Sequence, residues 1–140
     1  MKIAFDTNVL LDAIADRAYA DEAKKLIMAA ASGSVDGIVT ANSVTDIYYI
    51  AGKHLGSAGA RKAVRSILTL FDVANVCADD CFAALEAPMA DFEDALLAVC
   101  SRRAGADYIA TRDEKFIASA SPVPAKKPED ILELIRQSGR

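Results

Sequence analysis

Four aspartates stand where a carboxylate could do chemistry: Asp6, Asp46, Asp94 and Asp113. Asp6 follows the apolar run Ile3-Ala4-Phe5 and precedes a hydroxyl, Thr7, and an amide, Asn8. Asp113 repeats that arrangement, closing Thr111-Arg112-Asp113 directly after Tyr108-Ile109-Ala110. Both apolar runs have the length of a buried strand. In an open α/β sheet, ligands bind at the carboxyl ends of the strands, and parallel strands put both acids on that edge. Asp94 falls outside the apolar stripe of a helix, one turn from Asp91. Asp46 comes one position before Ile47, at the border of its helix's apolar stripe, where a carboxylate can be aimed at a cleft. Carboxylates held close together repel unless a cation lies among them. Donors that are all oxygen suit Mg²⁺ or Mn²⁺. Such ions clamp phosphates, acidify water and stabilise the in-line displacement of a phosphodiester oxygen.

Each acid also has an ordinary use. Asp6 or Thr7 can cap the following helix, and Asp91 can cap its own with Asp94 completing a box-like pair. Asp113 can close an Asx turn. Asp46 can be a solvated acid. The case for chemistry is that four acids recur at strand ends and helix borders.

The elements that must hold these acids alternate along the chain. After the first strand, Val9-Leu10-Leu11 and Ile14 predict a short helix, broken at Asp16-Arg17. Ala20 to Ala31 carries a second helical stripe. Ile38-Val39-Thr40 is a strand. Asn42 or Ser43 then caps a helix whose core stripe is Val44, Ile47, Tyr48, Ala51 and Leu55. Gly56-Ser57 punctuates, and a further helix runs from Ala58 to Phe71 with Ala60, Val64, Ile67, Leu68 and Phe71 inward. Val73 to Val76 predicts a third strand. Asp79 or Asp80 caps a helix to Glu86, which Pro88 ends. Asp91 opens the helix that buries Phe92, Ala95, Leu96, Val99 and Cys100, and Gly105 closes it. Tyr108 to Ala110 is the fourth strand. Ser119 to Pro128 reads as a loop with a short edge strand at Val123, and Pro128-Glu129-Asp130 starts a last helix. Strands alternating with helices imply one parallel sheet covered on both faces.

A chain of 140 residues is expected to be a single domain spanning residues 1–140, and at 53% hydrophobic it has ample material for a core. No apolar run approaches the roughly 18 residues needed to span a bilayer, and Asp6 and Asp12 interrupt any signal-like stretch. A cytoplasmic protein is therefore expected. Cys77, Cys81 and Cys100 sit in apolar, helix-like settings and read as buried free thiols. His54, the only histidine, reads as surface, so neither a Cys/His zinc pattern nor a histidine triad is supported. A formal charge of −4 argues against broad nucleic-acid binding through net charge, yet leaves room for local basic groups. Arg61, Lys62 and Arg65 read as a solvated face, and Tyr48 and Tyr49 as core and interface. Arg112, by its address beside Asp113, reads as a contact to an RNA backbone, and Lys115 flanks the same acid.

Asp6-Thr7-Asn8, Asn42-Ser43-x-x-Asp46, Asp91-Phe92-Glu93-Asp94-Ala95-Leu96 and Thr111-Arg112-Asp113 together resemble the PIN domain. The likeness is to VapC-type toxins of bacterial toxin–antitoxin pairs and similar stand-alone PIN proteins, and it extends from Ile3 to about Ile135. The resemblance implies a three-layer α/β/α sandwich with a central parallel sheet and a Mg²⁺- or Mn²⁺-dependent endoribonuclease. It would make Asp6, Asp94 and Asp113 metal ligands and Asp46 a further catalytic acid. Asp46 occupies a position more often glutamate in the family, so its shorter side chain holds the carboxylate further from a metal. Thr7, Asn8, Ser43 and Thr111 would orient acids or metal-bound waters. Many relatives carry an acid directly before the phenylalanine where this chain has Lys115-Phe116. That leaves Asp113, or else Glu114, to serve alone and bears on a second metal position. The resemblance further implies a homodimer and a small antitoxin lying in the active-site groove. Two alternatives stay open: a PIN-like RNA- or protein-binding module with an inactive site, and a DNA- or structure-specific nuclease.

Overall fold

The structure is a computed structural model that describes residues 1–139. In chain order the elements are β1 (Lys2–Phe5), α1 (Thr7–Ile14), α2 (Ala20–Ala31), β2 (Asp36–Thr40), α3 (Ala41–Leu70), β3 (Asp72–Ala74), α4 (Ala78–Glu86), α5 (Phe92–Arg103), β4 (Tyr108–Ala110), α6 (Glu114–Ile117), β5 (Ala125–Lys126) and α7 (Pro128–Ser138). The five strands form one sheet in the order β3-β2-β1-β4-β5, and every pairing is parallel.

Alternation along the strands builds the two outer layers. Ile3, Phe5, Val39 and Ala110 face one side, against apolar residues of α1, α2, α3 and α7. Ala4, Ile38 and Ile109 face the other, against Leu97 and Ala98 of α5, Phe116 of α6 and Val123. Helices on both faces of a parallel sheet give the three-layer α/β/α arrangement expected from the sequence. On the first face Phe5 meets Phe71 edge-on, with ring centroids 4.9 Å apart. Gly37 of β2 makes this packing possible, since a Cβ there would stand 2.3 Å from the Phe71 ring.

The chain runs from β1 outward to β2 and β3, then returns to add β4 and β5 on the opposite side of β1. The strand order therefore reverses between β1 and β4, whose carboxyl ends lie side by side with Phe5 opposite Ala110. Such a switch point opens a crevice in which open α/β sheets bind ligands.

The two helices expected on either side of Gly56-Ser57 are present as the two segments of α3, which meet at a non-helical Gly56 whose φ of 72° is readily open to glycine. Several other expectations are corrected. Leu55 and Leu68 are exposed rather than inward, and Tyr49 is exposed as well. Thr40, not Asn42 or Ser43, precedes the first turn of α3. The third strand is Asp72–Ala74 and the edge strand Ala125–Lys126, each displaced by one or two residues from its apolar signal. Of the three thiols only Cys100 is buried. Cys77 is instead the N-cap of α4, and its thiol donates to Asp80 Oδ2 at 3.2 Å. The buried Asp80 carboxylate also accepts from Arg103 of α5 at 2.8 and 2.9 Å. Those bonds hold it well below the ordinary carboxylate range and tie α4 to α5. No helix among the described residues is long and apolar enough to cross a membrane.

Candidate active site

Asp6 leaves the end of β1 with its backbone N–H donating to Ala110 O of β4 at 2.9 Å. Its side chain therefore rises between the two central strands. Oδ2 accepts from Thr111 Oγ1 at 2.7 Å and from Asn8 Nδ2 at 3.1 Å. The Thr111 hydroxyl, fully buried, also accepts from the Asp113 backbone N–H at 3.1 Å. One hydroxyl thus joins the acids that follow two adjacent strands. Asp113 serves as the N-cap of α6, its Oδ1 accepting from the backbone N–H groups of Lys115 and Phe116 at 2.9 and 3.4 Å. Capping and a place at the site coexist in this residue, because a cap engages one oxygen and leaves the other.

The same division appears on α5. Asp91 is the N-cap, its Oδ1 accepting from Asp94 N at 3.0 Å. Asp94 is thereby relieved of capping. Its carboxyl is pushed up to about 7, first by desolvation and then by the charges of Asp91, Asp6, Asp113 and Glu93. Asp6 is raised too, burial outweighing the hydrogen bonds from Thr111 and Asn8. Asp94 and Asp113 line one recess with Met89, Lys115, Phe116 and Ser119. Asp6, Asp94 and Asp113 therefore share one edge of the sheet and feel each other's charge.

Asp46 of α3 meets this group through Glu93, a residue that sequence reasoning did not single out. The Glu93 carboxyl is raised by desolvation and by the nearby charges of Asp46, Asp91 and Asp6. The two acids line a neighbouring recess with Asn42, Thr45, Phe92 and Leu96. The available signal was adjacency: Glu93 precedes Asp94 in the first turn of α5, where an acid reads as a favourable helix N-terminal charge.

Other expected residues lie differently. Ser43 is buried and bonds to Thr40 Oγ1 at 2.8 Å rather than to a carboxylate. Thr7 opens α1, and among the described residues its hydroxyl bonds to none of the acids. Arg112, expected from its address to contact RNA, has its guanidinium engaged by partners within the chain. Its guanidinium lies 4.0 Å from the Tyr19 ring centroid, 2.9 Å from Glu129 and 3.9 Å from Asp12. Only 12% of the side chain is exposed. Arg112 braces the turn after β4 against α1 and α7. Asp12 is itself raised, since desolvation there exceeds the pull of Arg17 and Arg112.

The donor set is carboxylate, hydroxyl and amide oxygen, the kind that hard divalent cations take. The buried Asn8 Oδ1, beside Asp6, has no hydrogen-bond partner, an acceptor left for a cation or a water. Among the described residues, no three acids close on a common point. Like charges facing one another favour such an open arrangement.

A family model described as PIN domain matches residues 2–115. Two solved structures are similar in fold. One is VapBC2 from Rickettsia felis bound to a DNA fragment from their promoter, with a TM-score of 0.70 and 15% identity, covering 91% of this chain and 98% of that one. The other is VapC20 from Mycobacterium tuberculosis, described as a Sarcin-Ricin loop cleaving toxin, with a TM-score of 0.67 and 22% identity, covering 83% and 93%. No curated protein matches this chain.

Proposed function

The chain belongs to the PIN domain family, and we propose that it is a Mg²⁺- or Mn²⁺-dependent endoribonuclease, the toxin of a toxin–antitoxin pair. The observation that carries this reading is the Thr111 hydroxyl, which joins Asp6 to Asp113 at the sheet's switch point with Asp94 facing both. A buried group placed to hold like charges together has a use when a cation shares them.

In this reading Asp6, Asp94 and Asp113 hold the ion, with Asp46 and Glu93 as a flanking acid pair. The ion, when bound, neutralises charge on the scissile phosphate and acidifies the attacking water. The protein's own residues set the geometry. Thr111 fixes Asp6 and Asp113 relative to each other, and Asn8 orients the Asp6 carboxylate. Asp91 satisfies the α5 N-terminus so that Asp94 stays available. The similar structures come from VapBC and VapC proteins, which supports RNA as substrate and a small antitoxin as partner. A homodimer and a cytoplasmic site of action belong to the same proposal.

The open arrangement of the acids favours a second reading, a PIN-like module that binds RNA or protein without turnover. One experiment separates the two. Purified protein is incubated with labelled structured RNA in Mn²⁺, Mg²⁺ or EDTA, beside the Asp6→Asn/Asp94→Asn double variant and a DNA competitor of the same sequence. Metal-dependent RNA cleavage lost in the double variant supports the nuclease. Folded, antitoxin-free protein that cleaves under no metal refutes it, and preferential cleavage of the DNA moves the assignment to a deoxyribonuclease.

A further inference from the structure

We propose that the recess between the start of α5 and α6 is a nucleotide subsite, and that Lys115 grips the phosphate of the RNA nucleotide next to the scissile bond. The inference rests on the ribonuclease reading and adds where the substrate lies relative to the acids.

The recess has a volume of about 300 Å³, at the lower end of the roughly 300–1,000 Å³ typical of small-ligand sites. Its walls differ in chemistry. Asp91, Asp94 and Asp113 line it with carboxylates, Met89 and Phe116 add apolar atoms, and Lys115 adds a cation. A nucleotide has the same division, with an apolar ring face beside an anionic phosphate. Phe116 is only 1% exposed, so the apolar surface open to a ligand is mainly that of the partly buried, adaptable Met89. Such a surface accepts any base and reads none by hydrogen bonds.

The cations near the site separate by what already holds them. Arg112 is committed to Glu129, Asp12 and Tyr19. Lys127 pairs with Glu114 at 2.9 Å, and Lys126 lies 5.8 Å from the Tyr108 ring centroid. Lys115 forms no ion pair among the described residues, although it lines a recess with three aspartates, Asp91, Asp94 and Asp113. Its root is fixed, because its backbone N–H donates to Asp113 Oδ1 at 2.9 Å. An exposed ammonium on a flexible stem, anchored beside an acid of the site, suits a phosphate arriving from solvent. It also offsets the repulsion that a cluster of five acids imposes on a polyanion.

The test measures binding without turnover. A short fluorescein-labelled single-stranded RNA of mixed sequence is titrated by anisotropy in EDTA across a salt series, with wild type, Lys115→Ala and Lys115→Arg. One lost phosphate contact lowers the slope of log K against log salt by about 0.7. Wild type should then lose about 2.6-fold more affinity than Lys115→Ala between ~50 and ~200 mM salt. Lys115→Arg should restore the slope, and the effect should be uniform across sequences. Lys115 is exposed, so the alanine variant retains the fold, which circular dichroism checks. Wild-type binding with an unchanged slope in Lys115→Ala overturns the subsite and leaves the ribonuclease reading standing. Absence of RNA binding by the wild type also overturns the subsite, whereas the ribonuclease reading stands or falls with the metal-dependent cleavage assay.

Discussion

Replacing Asp94 by Asn should stabilise the ion-free protein at alkaline pH while abolishing its proposed cleavage. The Asp94 carboxyl lies at about 7 against an ordinary 3.8. At about 1.36 kcal/mol per pKa unit, that displacement sets a ceiling near ~4 kcal/mol. The side chain is partly open to water, and screening at such positions reduces the effect to ~1–2 kcal/mol. The sign follows from linkage. A folded-state pKa above the unfolded one means that the folded protein holds the proton more tightly. The cost of ionising Asp94 is therefore absent at low pH, grows as pH rises from about 4 to about 7, and is complete above that window. Asparagine avoids the charge at every pH. It leaves the helix start intact, because the cap is Asp91 and the bond it accepts comes from the residue-94 backbone. Urea unfolding in EDTA at about pH 8 should show the variant ~1–2 kcal/mol more stable, and at about pH 4 the two proteins should agree within ~0.3 kcal/mol. Added Mn²⁺ should reverse the order at pH 8 by binding the folded wild type. A variant less stable at pH 8, or equally stabilised at both pH values, would refute the reasoning that these acids repel one another across an open site.

Thr111→Val should cost ~1–3 kcal/mol, since it removes the shorter of two bonds to Asp6 Oδ2 and leaves the Asp113 N–H without its acceptor, and should depress cleavage; Thr111→Ser should restore most of both. Gly37→Ala should lower stability by ~1–3 kcal/mol in thermal unfolding, because the added methyl meets the Phe71 ring. Arg112→Met should destabilise by ~1 kcal/mol, since it removes one of the two cations beside Asp12 and the partner of the part-exposed Glu129, yet leave the salt dependence of RNA binding unchanged. An altered salt slope in that variant would return Arg112 to the RNA interface.

The fold was legible because two patterns carried it. Continuous apolar runs such as Ile3-Ala4-Phe5, buried throughout, mark strands covered on both faces, helical stripes such as Ala23 and Leu26 mark the inner sides of helices, and the sheet follows. The break at Gly56 was legible as punctuation, and the backbone leaves the helical region there, but glycine signals a break without giving the direction in which the chain resumes. Cys77 was misplaced because an apolar neighbourhood in sequence does not distinguish the inside of a helix from its first residue.

The site divides along a physical line. Asp6 follows β1 directly and Asp113 comes two residues beyond Thr111, which follows β4, and caps α6; short side chains in such places have little freedom, so the topology largely fixes where their oxygens go. Glu93 and Arg112 have longer side chains whose direction depends on distant partners: Asp46 on α3 for one, Tyr19, Asp12 and Glu129 for the other. Adjacency to Asp113 drew attention to both Arg112 and Lys115, but it weighs equally for each. What separates them is a set of competing anions and one aromatic ring that lie more than 15 residues away from Arg112 in the chain. The shorter the lever between backbone and charged atom, the more of the site a sequence determines by itself; the cations that meet a substrate are settled by whichever neighbours have not already claimed them.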